Sequence, residues 1–163
     1  MAPIESSTSS VDAMVICVRD FCAFVEGAHT LRLPQRLTAA REKLLALYTA
    51  AIKLPDVSPT DEDPPADTSN APSSWRGFDK FEIYWEMFDP YEHEEPVAGS
   101  LSDDLLDVYR DLKVGLALWE LGATADALWD WRFSCETHWG DHAIDALRAL
   151  HRACGRAVPS DGG

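Results

Sequence analysis

Basic residues are scarce in this sequence. Its 163 residues contain 14 Lys and Arg against 28 Asp and Glu, which gives a formal net charge of −14. Proteins that bind nucleic acid neutralise phosphates with Lys and Arg, and an acidic surface is repelled by anionic lipid headgroups. The composition therefore predicts a protein that binds neither nucleic acid nor a membrane.

Long apolar runs and paired cysteines are also missing. The N-terminal segment MAPIESSTSS has no basic residue, and the following run MVICV is too short to span a bilayer. The four cysteines show no CxxC spacing typical of zinc or redox sites, and each lies among apolar residues, as reduced cysteines do. These features predict a cytoplasmic protein.

Common catalytic motifs are missing too: the sequence has no GxSxG, no glycine-rich phosphate loop and no HExxH. The segment DDLLD, Asp103 to Asp107, matches a DDxxD motif, which holds Mg²⁺ in prenyl-diphosphate enzymes. The chain is too short for that fold, and these acids project away from the main apolar face of their helix. The helix dipole and solubility account for them without a ligand.

Apolar residues recur at helical spacing in four segments. Glycines and prolines mark most of the ends, and Ser102 is the expected N-cap of the third helix. The prediction is an all-α fold, a single-domain helical bundle of four main helices. The four helices are expected over residues 11–27, 34–54, 102–122 and 124–155.

The connecting segments differ in how clearly they can be interpreted. Residues 55–74 contain five prolines and five acids with no basic residue, which predicts a long solvated loop inside one domain. The ordered core is expected over 10–155, with frayed tails at 1–9 and 157–163. Residues 75–88 fit a helix or a strand, and a short helix is predicted.

The segment THWGDHAID contains the sharpest candidate for chemistry. On an uninterrupted helix His138 and His142 share one face, at the spacing by which a helix chelates zinc or iron. Asp145, one turn further on, could be another ligand or could fix a histidine tautomer. A complete site needs a further group from elsewhere in the chain, such as Asp107, Asp111 or His29.

A break at Gly140 would separate the two histidines. A single helix over 124–154 would be about 46 Å long, against about 30 Å for the helix before it, and glycine inside a helix costs about 1 kcal/mol relative to alanine. We therefore favour a junction, in which Trp139 packs, Gly140 allows a break or a close approach, and Asp141 caps the helix that follows. The alternative is a helix that runs through Gly140 and keeps both histidines on one face.

Two motifs together resemble a known family. SLSDDLLDVYRDLK, Ser100 to Lys113, and HWGDHAIDALRALH, His138 to His151, are similar to bacterial domain-of-unknown-function family 5063. The resemblance implies a small, mostly helical, cytoplasmic bacterial protein with no assigned activity or catalytic residues. In the family pattern the Trp-Gly pair is more constant than the flanking histidines, which weakens a metal role for them.

The first functional hypothesis is a protein-interaction or accessory module without catalysis or cofactor, binding a protein partner or forming a homodimer. Exposed aromatic residues anchor such contacts, and three arginines near the C-terminus of the last helix could contact an acidic partner. The predicted contact residues are Trp75, Trp85 and Trp129, with Arg148, Arg152 and Arg156 as the basic patch.

The alternative hypothesis is a metal-dependent hydrolase, in which a divalent metal ion activates water. Its predicted ligands are His138, His142, Asp145 and Asp107.

Overall fold

The computed structural model describes residues 4–65 and 75–157, and it describes the side chains from residue 10 onward. The helices are α1 (Ile4–Gly27), α2 (Leu33–Ala51), α3 (Leu101–Glu120), α4 (Thr124–Ser134) and α5 (Gly140–Ala157). Because α4 and α5 are joined by a helical turn, they count as one long helix. The predicted all-α domain of four main helices is confirmed.

The helices pack around one apolar core. Helix α1 packs against α2 and α3, α2 also packs against α5, and α3 lies against both α4 and α5. Among the described residues no helix is both long and apolar enough to cross a membrane. The largest fully buried side chains are Trp131, Trp139, Tyr109, Phe21, Phe78 and Met14.

The predicted break at Gly140 is wrong. Residues Cys135–Trp139 form a single π-helical turn, and the Gly140 amide donates to the carbonyl of Cys135, five residues earlier. A Cβ on residue 140 would lie 2.2 Å from that carbonyl oxygen, so only glycine fits this wide turn. Wide π turns of this kind are frequent at functional sites. The last helix therefore continues into α5 without a new cap at Asp141.

The predicted short helix over 75–88 is also wrong. A β-hairpin follows a short 3₁₀ turn, with β1 (Ile83–Glu86) antiparallel to β2 (Val97–Ser100). Alternating burial along β1 agrees with a strand that has one solvated face. A Cβ on Gly99 would lie 2.7 Å from the Tyr84 ring, so this glycine lets the ring lie flat across β2.

The loop and the chain ends differ in detail from the prediction. Helix α1 begins at Ile4 instead of Val11. Residues 55–65 contain no helix or strand, but Thr60 donates from its amide and its hydroxyl to Asp126, at 2.7 and 2.5 Å. These hydrogen bonds lower the pKa of Asp126 and fasten the loop to the start of α4. The remainder of the predicted loop and of the C-terminal tail lies outside the described residues.

Candidate functional site

Two histidines and a row of aspartates meet where α5 crosses α3. Because the helix continues through the π turn, His138 and His142 share one face, with their ring centroids 4.9 Å apart. His138 Nδ1 lies 2.6 Å from Asp111 Oδ2, and His142 Nδ1 lies 2.8 Å from Asp104 Oδ1. Both acceptors belong to α3 and are seven residues, or about two helical turns, apart.

The two carboxylates orient the imidazoles. A carboxylate at Nδ1 holds the proton on that nitrogen and leaves Nε2 free to act as a base or a metal ligand. His142 Nε2 lies 3.8 Å from Asp107 Oδ2. The hydrogen bond that His142 donates to Asp104 raises the pKa of His142, which favours the imidazolium form. With Nδ1 held by Asp104, Nε2 is the atom at which His142 can take up or release a proton.

Within the described residues, no three or more His, Cys, Asp or Glu side chains are arranged to hold a metal ion. Of the four predicted ligands, His138, His142 and Asp107 come together at this helix crossing. Asp145 forms no ion pair with either histidine and lies beside Glu86 of the hairpin. The tautomer-fixing carboxylates are Asp111 and Asp104 instead.

Asp104 is the hub of this network. Only 5% of the residue is exposed, and its carboxylate accepts from His142 and, at 2.5 Å, from the hydroxyl of Tyr84. Interpreting the Asp103–Asp111 row as solvent-facing is therefore wrong for Asp104. The expected N-cap also moves, since Ser100 caps α3.

A pair of carboxyl groups extends the network towards the hairpin. Tyr84 Oη lies 2.8 Å from Glu86 Oε2 as well as close to Asp104, yet a hydroxyl has one proton to donate. Asp145 lies beside Glu86, and burial together with the Glu86 charge raises the pKa of Asp145 to about 6. The two carboxyl groups therefore repel each other when both are ionised.

Beside this pair a groove of about 820 Å³ runs between the hairpin and α5. One face of α5 forms its floor, from Asp141 to Arg156, and the hairpin forms its wall. Residues of the floor recur every three or four positions, which is the spacing of one helix face. The wall includes Ile83, Trp85, Met87, Phe88, Pro90 and Pro96.

The hairpin exposes large aromatic side chains to solvent. Trp85, Phe88 and Tyr91 are 72%, 83% and 95% exposed. Concentrated exposed apolar surface of this kind marks interaction sites on soluble proteins. Of the other two predicted contact residues, Trp129 is 37% exposed and stacks on Phe133, whereas Trp75 is buried against Phe24 and Phe78. Trp75 therefore cannot contact a partner.

The floor of the groove has opposite charges at its two ends. Asp141 and Asp145 lie towards the N-terminus of α5, and Arg148, Arg152 and Arg156 lie towards its C-terminus. None of the five forms an ion pair with any described residue. Most charged side chains elsewhere on α3 and α4 do have such partners.

Sequence reasoning missed the part of the site that the hairpin supplies. Tyr84, Glu86 and Phe88 lie in a segment whose spacing fitted both a helix and a strand. The alternation of Phe81, Ile83 and Trp85 was the available signal for a strand. Their proximity to α5 is a tertiary contact, which no local spacing encodes.

Comparison with known proteins agrees with this fold. The chain is similar to the crystal structure of protein BF1032 from Bacteroides fragilis, with a TM-score of 0.71 and 22% identity over 94% of this chain and 96% of that one. At that identity the likeness shows the fold alone. No functionally curated protein matches the chain. A family model described as "Domain of unknown function (DUF5063)" matches residues 5–154, and the chain belongs to that family.

Proposed function

We propose that this protein is a non-catalytic interaction module whose docking surface is the groove between the hairpin and α5. The observation that supports this most strongly is the exposed aromatic wall beside an unpaired row of arginines. Interfaces are enriched in Trp, Tyr, Phe and Arg, and a few such residues supply most of the binding energy.

The matched pair of exposed aromatic surfaces offers a direct test. Trp85 and Phe88 belong to the groove, whereas Trp129 and Phe133 stack on each other on α4, outside its lining. A tagged chain is expected to retain a polypeptide that binds in the groove, and the double substitution Trp85→Ser with Phe88→Ser should abolish this retention. The control is Trp129→Ser with Phe133→Ser, which should leave the retention intact.

The readout is mass spectrometry of proteins retained by the tagged chain, with untagged chain co-expressed so that self-association is also detected. Circular dichroism confirms that both double variants fold. Equal capture by the wild type and the groove variant would contradict the proposed docking surface.

A metal-dependent hydrolase is the second candidate, and the carboxylate-oriented histidines favour it. Asp111 and Asp104 occupy the Nδ1 atoms of His138 and His142, so both Nε2 atoms remain for a metal. Asp107 would be a third ligand after a small side-chain movement, since its Oδ2 lies 3.8 Å from His142 Nε2. A water molecule would fill the fourth position of a tetrahedral zinc site.

Calorimetric titration with Zn²⁺ and Mn²⁺ tests this candidate. Stoichiometric binding to the wild type, weakened at least about 100-fold by His142→Ala, is expected for a two-histidine site. His151→Ala, at an exposed histidine of the same helix, is the control. Failure of the wild type to bind either metal above background would remove the hydrolase candidate and leave the docking role unaffected.

A further inference from the structure

The charges on the floor of the groove form two separate blocks on one helix face. Asp141 and Asp145 form the acidic block, and Arg148, Arg152 and Arg156 form the basic block. Neither block forms an ion pair with a described residue, although Lys80 and Glu86 line the same groove. When such a face meets a second copy that runs in the opposite direction, the acidic block of each copy lies against the basic block of the other.

We infer that the groove is occupied by a second copy of this chain, with the two α5 helices antiparallel about a two-fold axis between Arg148 and Ala149. The inference rests on the proposed docking role of the groove. In such an isologous contact a residue at a given distance before the axis lies opposite the residue at the same distance after it in the second copy. Asp141 then lies opposite Arg156 of the second copy, and Asp145 lies opposite Arg152 of the second copy.

Symmetry doubles each of these contacts, so four ion pairs form along about 22 Å of helix. Ile144, which is 46% exposed, lies on the same stretch of α5 and adds apolar surface beside these ion pairs. Ala149, beside the axis, is small and allows the helix axes to approach closely, whereas the exposed Arg148 side chains of the two copies must extend past each other there. The exposed aromatic side chains of each hairpin then lie over the other copy, which adds apolar area to the contact.

The second copy also supplies the cation that the carboxyl pair lacks. Glu86 and Asp145 lie against each other, and they are flanked by Asp141, Asp104 and His142. Only His142 in this group can carry positive charge, and Asp104 already accepts its proton. An arginine opposite Asp145 would neutralise the excess with a geometry that suits two carboxylate oxygens.

The net charge of −14 opposes self-association, because like-charged copies repel each other. Added salt would screen this repulsion and the proposed ion pairs together. Reversing individual charges is therefore the sharper experiment. Asp141 and Arg156 suit it, since both are exposed and substitution should leave the fold unchanged.

Sedimentation velocity over a range of concentrations tests the inference. Asp141→Lys and Arg156→Glu should each raise the dimer dissociation constant at least about 10-fold. An equimolar mixture of the two variants should associate again, because each changed residue meets its opposite charge. Asp12→Lys and Arg19→Glu, which make the same charge changes at exposed positions of α1, should behave as the wild type.

A wild type that stays monomeric up to about 0.1 mM would overturn the second copy as occupant. So would single variants that associate as tightly as the wild type, or a mixture that does not recover. If capture of another polypeptide still depends on Trp85 and Phe88 in that case, the docking role stands with a different occupant. If the chain neither self-associates nor retains another polypeptide through Trp85 and Phe88, the docking role is contradicted as well.

Discussion

The two ends of strand β1 have carboxylates in opposite situations, one buried and one half-buried. Glu82, just before the strand, accepts from the Ser102 amide and hydroxyl and from the Ser100 hydroxyl, all within 2.9 Å. Burial alone would raise its pKa, but these hydrogen bonds lower it. Glu86, at the far end, has one shared tyrosine proton and a second carboxyl group beside it.

The difference separates a structural acid from one that belongs to a surface. A buried carboxylate whose oxygens are fully hydrogen-bonded holds a fold together. Glu82 in this way fastens the base of the hairpin to the start of α3. A carboxyl pair with too few donors, at the edge of a groove, is a group that a cationic partner would stabilise.

Removing Glu82 is expected to lower the stability of the fold more than any other substitution considered for these two carboxylates. Glu82→Ala leaves two amides and two hydroxyls without their buried acceptor, which should lower the free energy of unfolding by about 3–4 kcal/mol. Glu86→Gln should change it by less than about 1 kcal/mol, because an amide can donate to the neighbouring carboxylate. Urea denaturation of both variants checks this, and a similar cost for the two would contradict it.

A smaller effect is expected at the histidines. His142→Ala removes one of the two donors to buried Asp104 and should cost about 1–2 kcal/mol. His138→Ala should cost less than about 0.5 kcal/mol, because the His138–Asp111 pair is more exposed to water. The same denaturation measurement applies. If the two substitutions lowered the free energy of unfolding equally, the burial of Asp104 would not make the His142–Asp104 pair more stabilising than the His138–Asp111 pair.

The smallest effect is a pH dependence at Asp145. Its pKa of about 6 in the folded protein lies above its usual value of 3.8, so between these values the folded state holds a proton that the unfolded state has released. The free energy of unfolding therefore falls from this group as the pH rises from about 4 to about 6. The Asp145→Asn variant cannot ionise at this position, so its free energy of unfolding should rise relative to that of the wild type over that range.

Because Asp145 is partly exposed, we expect the gain to be below about 1 kcal/mol. Denaturation at about pH 4 and about pH 7.5, at a concentration where the chain is monomeric, measures it. An Asp145→Asn variant whose stability differs from that of the wild type by the same amount at both pH values would contradict the raised pKa of Asp145.

The sequence predicted the helices well and the site only in part. Helical spacing located all four helices, because each apolar face must be buried on another element. Gly140 misled the prediction, since glycine usually ends helices, whereas here it accommodates a π turn. Asp104 was expected to face solvent because it lies off the main apolar stripe of α3. Tyr84 and His142 cover that side of the helix, and this cover is a tertiary contact that the sequence does not reveal.

The hairpin was hidden for a related reason. A four-residue strand offers too few positions to separate a period of two from a period of 3.6. Exposure, which the predicted contact role requires, separates two tryptophans of this segment. Trp85 is exposed and Trp75 is buried, although both stand in similar sequence surroundings.

Hydroxyl-radical footprinting at low and high protein concentration tests the central claim most directly. If a second copy covers the groove, oxidation of Trp85 and Phe88 should decrease as the concentration rises. Oxidation of Trp129 and Phe133, which are exposed outside the groove, should stay constant and serve as the internal reference. Equal oxidation of Trp85 and Phe88 at every concentration would contradict a groove that is buried between two copies.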